Sequence, residues 1–400
     1  MTPPGSVLIV GASAAGLSTA EALRRQGYEG RLTLLDAEPH LPYDRPPLSK
    51  QVLAGAWEPA RAQLRGQAQL EALNAEFVRG EPAVALDTAA REVHTATGRA
   101  LRADTVVIAT GLTSCRLPGQ DGLAGVHTLR GLDDALTLRT HLIAARRLVV
   151  VGEGVLGGEV AATARGMGLD VTLVGLGTAI LAEQLGDPAA ALLTRTHAER
   201  GVALRLGVAV EELIGADGRV TGVRLATGEV LPADAVVVAI GSRPVTGWLA
   251  GSGLSLGDGV ECDSRCLAAE GVYAVGDVAS WQHEGLGRRL RLENRTNATE
   301  QAQVVAANVL GADRAYTPIP YFWTDQYDIK IQAHGLPSAA AEVSIAEGDL
   351  EQRRFAAVYR ENGQVTGVLG WNMPKQARVL RQQSLGTGQG ARPVTTAPKG

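Results

Sequence analysis

Cysteine is scarce in this sequence, and its scarcity excludes several redox centres. Only Cys115, Cys262 and Cys266 occur among the 400 residues. Three residues separate Cys262 from Cys266, so the chain has no Cys-x-x-Cys disulfide relay, and three thiolates cannot hold a four-cysteine iron–sulfur cluster. We expect the cysteines to be small apolar core residues, and any electron transfer to proceed without a disulfide relay.

Long apolar runs and a strong net charge are also absent. No stretch approaches the roughly 20 apolar residues that a membrane span requires. A net charge of −4 gives no reason to expect binding to nucleic acid or to an anionic membrane. The first residues predict a strand that enters a glycine turn, rather than the basic region and cleavage site of a signal peptide. We therefore expect a cytoplasmic protein of two or three domains.

Glycine, by contrast, is abundant, and two glycine-rich turns share one pattern. GASAAG at residues 11–16 and GEGVLG at 152–157 each follow a short apolar run and precede a stretch of helical periodicity. Glycine permits the tight bend from strand to helix and lets backbone N–H groups approach a pyrophosphate at the positive end of the helix dipole. One such turn is a weak signal, but two in one chain indicate two bound dinucleotides, which suggests a flavin and a nicotinamide.

Each turn lies in a pattern typical of a β–α–β unit. Residues 7–10 predict a strand, 14–26 a helix and 32–35 a second strand, after which Asp36 stands where an acid can accept a hydrogen bond from a ribose hydroxyl. The second unit repeats this plan at residues 148–151, 157–167 and 170–174, but its second strand is followed by Gly175 instead of an acid.

Further strand-and-turn signals divide the rest of the chain. Residues 106–111 and 236–241 predict buried strands that end in small-residue turns, where we expect the chain to cross from one nucleotide domain to the other; alone, each is equally typical of any α/β protein. A third such signal at 272–277 ends in Gly-Asp. Alternating strands at 329–332, 355–359 and 365–369 predict a small mixed C-terminal domain, and residues 386–400 are expected to be disordered.

The most specific string is PYDRPPLSK at residues 42–50. Its prolines fix the backbone, so Arg45 and Lys50 are presented on a stiff segment, and Lys50 is one of only four lysines in the chain. Arg45 could neutralise a pyrophosphate, and Lys50 could approach a flavin ring. The alternative interpretation is a proline-stiffened surface loop with two solvated cations.

The chain resembles the ferredoxin reductases of bacterial oxygenase systems from residue 7 to about 385. The resemblance rests on the 42–50 string, the Gly-x-Ser-x-x-Gly turn, ATG at 109–111, Gly276-Asp277, ENRTNA at 293–298 and FWTDQYD at 322–328. It implies an α/β fold with two Rossmann-like dinucleotide-binding domains of the glutathione-reductase type and a small α+β C-terminal domain. It places a discontinuous FAD-binding domain at 1–112 and 241–318, an NAD(P)-binding domain at 113–240 and the C-terminal domain at 319–385.

The resemblance also implies an FAD site. Its pyrophosphate would be wrapped by the first glycine turn, and its ribose, adenine, ribitol and ring would meet residues from several segments. The implied cofactor-binding residues are Gly11, Ser13, Ala15 and Gly16 around the pyrophosphate; Asp36, Ala37 and Glu38 at the ribose; Arg45 and Lys50 on the pyrophosphate and flavin side; Val84 at adenine; Thr110, Gly111 and Arg130; Gly276 and Asp277 at the ribitol; Arg295 at the flavin dione; and Trp323 beside the isoalloxazine.

The second site is implied to bind NADH, with NADPH possible, through Gly152, Gly154, Gly157, Glu159 and Gly241. Three of the residues are implied to be catalytic: Lys50, Glu159, which can pair with it, and Trp323 on the side where electrons leave. A Glu–Lys pair in such a place is costly alone but tunable by cofactor charge. The alternative for Glu159 is an exposed first-turn glutamate that the helix dipole favours. No residues are expected to bind a metal.

The implied activity is an FAD-dependent NAD(P)H:ferredoxin oxidoreductase. It would take hydride from NAD(P)H onto flavin N5 and pass single electrons to a two-iron two-sulfur ferredoxin that supplies a monooxygenase or dioxygenase. A surface that includes Arg288, Arg289, Arg291 and Arg314 could steer an acidic partner, although it could also be a solvated face. The oligomeric state is expected to be monomer or homodimer.

Two other functions stay open at this stage. One is an NADH oxidase or a small-molecule, quinone-type reductase of the same fold, since fold does not decide the electron acceptor. The other is a flavoprotein with an interaction role and weak nicotinamide binding. Gly175 replaces the acid that usually selects NADH, no arginine follows it until Arg195, and Glu153 could set a negative charge against a pyrophosphate. We therefore expect weaker or less selective nicotinamide binding than in related proteins.

Overall fold

The apolar run before the first glycine turn forms the centre of a parallel sheet. In the computed structural model, which describes residues 3–385, this strand is Ser6–Val10, paired with Arg31–Asp36 on one side and Thr105–Ile108 on the other. Its residues 7–10 are at most 3% exposed, as expected for a strand covered on both faces. The helix Ala14–Arg25 follows the turn and turns its apolar side chains into the same core.

The described residues divide into two units. The first comprises residues 3–46, Pro59–Thr113 and Ser242–Pro318. Its six-stranded sheet has the order Leu267–Ala269, Val272–Ala274, Thr105–Ile108, Ser6–Val10, Arg31–Asp36, Glu76–Arg79. Two smaller sheets contain Leu256–Gly257, Gly259–Cys262, Ala279–His283 and Arg288–Leu290, and Ala83–Asp87, Glu92–Thr95 and Ala100–Arg102. Its other α-helices are Gln67–Glu71 and Arg295–Val309.

The second unit comprises Pro47–Glu58, Ser114–Gly241 and residues 319–385. Its parallel sheet has the order Ala203–Leu206, Asp170–Gly175, Arg147–Val151, Ala235–Val238, Val126–His127. Between the strands Ala203–Leu206 and Ala235–Val238 the chain forms a separate antiparallel sheet of three strands, Val210–Ala216, Arg219–Leu225 and Val230–Pro232. The helices are Leu132–Ala144, Val155–Gly166, Ala182–Leu185, Ala189–Glu199 and a π-helical turn at Leu48–Val52.

The C-terminal part of the second unit is an antiparallel sheet with one helix. The strand order is Tyr321–Gln326, Ile329–Gly335, Gln364–Trp371, Arg354–Glu361, Glu342–Asp349, and the helix is Pro374–Ser384. Phe355 and Trp371 stack in its core with ring centroids 5.6 Å apart. Short strands at Leu112–Ser114 and Ser242–Pro244 stand where the chain passes from one unit to the other.

The predicted fold class is confirmed, and each strand and helix predicted for the two β–α–β units is present within a few residues. Cys262 and Cys266 are buried and free as expected, but Cys115 is only half-buried. The predicted domain boundaries stay predictions. One segment within the predicted 1–112 stretch, Pro47–Glu58, clusters with the second unit. The predicted disordered tail at 386–400 lies outside the described residues.

Candidate functional site

The first glycine turn is fixed by its own backbone. Gly11 has a φ of +105°, and a Cβ added there would stand 2.3 Å from the Ala109 carbonyl oxygen. A Cβ at Gly16 would stand 1.8 Å from the Gly11 carbonyl oxygen. Ser13, in extended conformation, is the N-cap of the helix Ala14–Arg25, and its side chain makes no cap hydrogen bond. The turn therefore has the tight geometry that aims helix N–H groups at an anion.

Asp36 holds this turn to the end of the second strand. Its carboxylate accepts hydrogen bonds from the backbone N–H of Ala12 at 2.8 Å and of Glu38 at 3.0 Å. Burial raises the pKa of Asp36, and the two backbone hydrogen bonds oppose that shift. The acid stands where a ribose diol is bound in dinucleotide folds.

Arg45 lies at the same turn and is not a solvated cation. Its guanidinium donates to the Ser13 hydroxyl through Nη1 and to Glu38 Oε1 through Nη2 at 2.7 Å. The Tyr43 hydroxyl donates to the other oxygen of Glu38. Arg45 Nε is buried and has no hydrogen-bond partner within residues 3–385. A cation with an unused N–H beside a helix N-terminus fits a pyrophosphate.

The remaining predicted residues of the first unit fall into three groups. Gly276 packs against the first glycine turn, because a Cβ there would stand 2.7 Å from the Ala15 Cβ. The N–H of Gly276 donates to the Gln301 side chain at 2.7 Å. Asp277 follows Gly276 in the 3-10 turn Gly276–Val278. Arg295 donates to Asp44 at 2.9 Å, next to Arg45. Thr110, beside Gly111, donates to the Val245 carbonyl at 2.9 Å, whereas Ala37 and Val84 are exposed.

The second glycine turn repeats the backbone constraints of the first. Gly152 has a φ of +119°, with a built Cβ 2.2 Å from the Ala239 carbonyl oxygen, and a Cβ at Gly157 would stand 1.8 Å from the Gly152 carbonyl oxygen. Gly154 differs, because a Cβ there would meet nothing described within 4 Å. The outer glycines are thus required by the protein itself, and the middle one leaves room for a ligand at the start of the helix Val155–Gly166.

Glu153, which the sequence suggested could face a pyrophosphate, reaches the residues that follow the second strand. Its Oε1 accepts the backbone N–H of Gly177 at 2.8 Å. A Cβ built at Gly175 would stand 2.1 Å from Glu153 Oε2. The carboxylate therefore occupies the space beside the glycine that replaces the expected acid.

Arg130 and Gly241 also belong to the second unit. The backbone N–H of Arg130 donates to Asp134 at 2.9 Å, just before the helix Leu132–Ala144. Gly241 has a φ of +103°, and its carbonyl accepts from the N–H of Cys115 at 2.9 Å.

Lys50 and Glu159 form a buried ion pair. Lys50 Nζ lies 2.7 Å from Glu159 Oε2, and the two side chains are 11% and 7% exposed. The same oxygen accepts from the Ser49 hydroxyl at 2.6 Å, and Oε1 accepts from the Thr324 hydroxyl at 2.9 Å. The alternative of an exposed first-turn glutamate is therefore wrong. Such a pair is stable only because its polar atoms are satisfied.

Trp323 lies beside this pair, with Lys50 Nζ 5.3 Å from the centre of its ring, within the range of a cation–π interaction. The structure thus brings the three predicted catalytic residues together. Next to Trp323 and Thr324, burial raises the pKa of Asp325, and Lys330 and Lys50 oppose that shift. The cluster holds a lysine, two acids and an indole within one unit.

Sequence reasoning missed Ser49 and Thr324, although both stand inside the strings that carried the resemblance. Ser49 is fixed by Thr163, whose hydroxyl donates to its carbonyl at 2.8 Å. Thr324 accepts from Gln326 at 3.2 Å, and Gln326 is held by His197 at 2.7 Å. The available signal was a hydroxyl residue directly next to Lys50 and another directly next to Trp323.

The surface that includes Arg288, Arg289, Arg291 and Arg314 presents less unpaired positive charge than the sequence suggested. Arg291 is paired with Asp258 at 2.9 Å and with Glu293 at 2.6 Å, and its side chain is 12% exposed. Arg289 donates to the backbone carbonyls of Cys262 and Ser280. Arg288 is exposed. Within residues 3–385, no helix is both long and apolar enough to cross a membrane, and no three His, Cys, Asp or Glu side chains are placed to share a metal ion.

Comparison with known proteins extends over nearly the whole chain. Residues 5–302 match the family described as pyridine nucleotide-disulphide oxidoreductase, and 321–395 match a family described as reductase C-terminal. Rhodocoxin reductase of Rhodococcus erythropolis is 34% identical over 94% of this chain and 88% of its own length. The ferredoxin reductase component of chlorobenzene dioxygenase from a Cupriavidus species is 38% identical over 92% of this chain and 90% of its own.

The solved structures agree with the sequence relatives. Putidaredoxin reductase, in its covalent complex with putidaredoxin, superposes with a TM-score of 0.90 at 33% identity, over 94% of this chain and 92% of that one. The chain therefore belongs to the pyridine nucleotide-disulphide oxidoreductase family of flavoenzymes, within the group of ferredoxin reductases that includes rhodocoxin reductase and the reductase components of dioxygenase systems.

Proposed function

We propose that this protein is an FAD-dependent NAD(P)H:ferredoxin reductase. The observation that carries the proposal is the pair of glycine turns. In both turns the first and last positions require glycine, because an added Cβ would stand only 1.8–2.3 Å from a backbone carbonyl oxygen. The position between them is a small residue in front of a helix N-terminus. One chain with two such turns is suited to hold two dinucleotides.

The first turn is the proposed FAD site. Gly11, Ser13 and Gly16 would hold the pyrophosphate together with Arg45, and Asp36 would accept from the adenosine ribose. The buried, unused N–H of Arg45 and the anchored Asp36 carboxylate both fit that assignment. Bound FAD accepts two electrons from a reduced nicotinamide and releases them singly to a one-electron acceptor. Ala15, Ala37, Glu38, Val84, Thr110, Gly111, Gly276, Asp277 and Arg295 are proposed to complete the site. For Arg130, which belongs to the second unit, contact with FAD stays a prediction of the resemblance.

The second turn is the proposed nicotinamide site, formed by Gly152, Gly154, Gly157 and Gly241. The space in front of Gly154 admits a pyrophosphate, and the dipole of the helix Val155–Gly166 favours its charge.

Lys50, Glu159 and Trp323 are proposed to act where electrons enter and leave. Glu159 accepts from Lys50, Ser49 and Thr324, so it fixes the ammonium of Lys50 beside the Trp323 ring. The burial of both charges excludes water around them, and this strengthens their effect on a neighbouring group whose charge changes. Lys50 Nζ carries the positive charge, and Glu159 prevents that charge from shifting position.

The proposed electron acceptor is a two-iron two-sulfur ferredoxin that supplies a monooxygenase or a dioxygenase. The names of the relatives support this choice, since they include a dioxygenase reductase component and a reductase joined to putidaredoxin. We propose a monomer or a homodimer.

Anaerobic mixing of the FAD-loaded protein with NADH or NADPH tests the first half of this function. We expect rapid loss of the visible flavin absorbance with at least one nucleotide, and a failure with both contradicts the proposal. Cytochrome c reduction tests the second half, because we expect it to depend on added ferredoxin. If oxygen or a quinone is reduced equally fast without ferredoxin, the protein is instead an oxidase or a small-molecule reductase.

A further inference from the structure

The two glycine turns can be aligned with each other through their strands. Val10 pairs with Leu35 in the first sheet, and Val151 pairs with Val174 in the second. The N–H of Gly11 donates to Leu35, and that of Gly152 donates to Val174, both at 2.7 Å. Three pairs of positions are therefore equivalent: Ala12 with Glu153, Asp36 with Gly175, and Glu38 with Gly177.

In both sites one carboxylate bridges the glycine turn and the end of the second strand, but it comes from opposite sides. Asp36 reaches from the strand end and accepts the N–H of Ala12 in the turn at 2.8 Å. Glu153 reaches from the turn and accepts the N–H of Gly177 beyond the strand end at 2.8 Å. Each donor and acceptor pair is 24 residues apart in sequence. The acid that Gly175 lacks is thus supplied by Glu153.

Gly175 and Gly177, beside this carboxylate, allow the acid to come from the turn instead of from the strand end. A Cβ at Gly175 would stand 2.1 Å from Glu153 Oε2 and 2.8 Å from its Cβ, and one at Gly177 would stand 2.7 Å from Oε1. An acid at Gly175 could not coexist with Glu153 in this position, for steric reasons and because of like charge. The glycine at the strand end is therefore the counterpart of the glutamate in the turn.

The arginine on the strand beside Gly175 is already paired with an acid. Arg205 lies on the neighbouring strand, where its neighbour Leu206 pairs with Gly175. Its guanidinium is already held by both oxygens of Glu229, at 2.8–3.0 Å. Leu176, between the two glycines, presents an apolar side chain that is 74% exposed.

We propose that Glu153 is the residue that selects the adenosine ribose of the nicotinamide coenzyme. Its carboxylate accepts from the ribose diol and repels a 2′-phosphate, so the protein prefers NADH to NADPH. The inference rests on the proposed function, in which the second turn binds a nicotinamide dinucleotide. It replaces the expectation of poor selectivity, which took Gly175 as an uncompensated loss.

Calorimetric titration of the FAD-loaded protein with ADP-ribose and with 2′-phospho-ADP-ribose tests the inference without any redox step. We expect the wild type to bind ADP-ribose at least about tenfold more tightly, the size of one charge-assisted hydrogen bond. In Glu153→Gln that preference should fall to about threefold or less, chiefly because 2′-phospho-ADP-ribose binds better. The exposed acid Glu212, mutated to Gln, serves as the control and should keep the wild-type ratio.

The decisive variant moves the acid from the turn to the strand end. The double substitution Glu153→Gly with Gly175→Asp moves the acid to the strand end, as in the first site, and should restore a preference of about tenfold. An unchanged ratio in Glu153→Gln, or a wild type that prefers the 2′-phosphate, overturns the inference. Flavin reduction measured on the same samples separates the two proposals. Bleaching by NADH with an unchanged ratio refutes only the role of Glu153, whereas no bleaching with either coenzyme refutes the proposed function as well.

Discussion

Replacing Glu159 with glutamine should destabilise the folded protein by about 3 kcal/mol. The carboxylate and the Lys50 ammonium are 7% and 11% exposed, so the variant leaves a cation buried without a counter-charge. Breaking a buried pair in this way costs about 3–5 kcal/mol. The lower value applies because glutamine keeps one oxygen that can still accept from the Ser49 hydroxyl, which now lies 2.6 Å from Oε2.

The measurement is urea-induced unfolding of the FAD-loaded chain, followed by tryptophan fluorescence and far-UV circular dichroism. Lys50→Met alone should also destabilise, because it removes the cation from a carboxylate that stays buried. The double variant Lys50→Met/Glu159→Gln should be more stable than the sum of the single effects by about 2 kcal/mol, since the two groups are in contact. High salt should change the wild-type pair little, because a buried pair is screened much less than an exposed one.

The control is Glu212→Gln, which breaks an exposed pair with Arg224 in the same unit. We expect no measurable shift of its unfolding midpoint. A loss of less than about 1 kcal/mol in Glu159→Gln, or strict additivity in the double variant, would refute the view that Lys50 and Glu159 act as one buried pair.

Three further predictions follow from the glycine turns, a histidine pair and the arginine of the first site. Gly154→Ala should leave the stability unchanged and weaken NADH binding about tenfold. Gly157→Ala should destabilise the protein by more than about 3 kcal/mol in thermal unfolding, because its Cβ would meet the backbone of Gly152. Equal effects of the two variants on stability would contradict the different roles given to these glycines. Burial and His141 lower the pKa of His127 to about 4 from 6.5, so stability should fall as the pH drops below 6.5 and level off near 4. His127→Gln should remove about 2 kcal/mol of that loss at pH 5, and parallel pH curves for variant and wild type would refute this. Arg45→Met should weaken FAD binding about tenfold or more in a titration of the apoprotein, and unchanged FAD affinity would exclude Arg45 from the site.

The sequence was most informative where one physical requirement decides the residue type. Buried parallel strands need apolar, β-branched runs, so Ser6–Val10 and Arg147–Val151 could be located within a residue or two. The glycines at 11, 16, 152 and 157 follow from backbone contact, which no other residue tolerates. The strand Glu342–Asp349 was missed because its residues are mostly exposed. The helix Pro374–Ser384 was missed because it is strongly polar and buries only Ala377.

The site could be predicted by residue type but not by direction. The resemblance predicts Lys50, Glu159 and Trp323 as site residues, yet the pairing of Glu159 with Ser49 and Thr324 depends on contacts between positions more than 100 residues apart. Glu153 shows the same limit over a shorter distance. Sequence places it in the turn, but a glutamate side chain is long enough to point along the turn or across it. In the folded chain Gly175 and Gly177 leave the space beside the strand end to the Glu153 carboxylate, which therefore points across the turn.

The segment Pro47–Glu58 has a consequence for engineering. It is flanked in sequence by residues of the first unit, but it clusters with the second, to which it contributes Ser49 and Lys50. The Arg139 guanidinium of the second unit also donates to the Leu53 carbonyl at 3.0 Å. Chimeras that exchange the two units between related reductases by cutting only near residues 113, 241 and 318 would combine a lysine from one parent with a glutamate from the other. A recombination scheme for these enzymes needs residues 47–58 as an additional cassette, inherited together with the second unit.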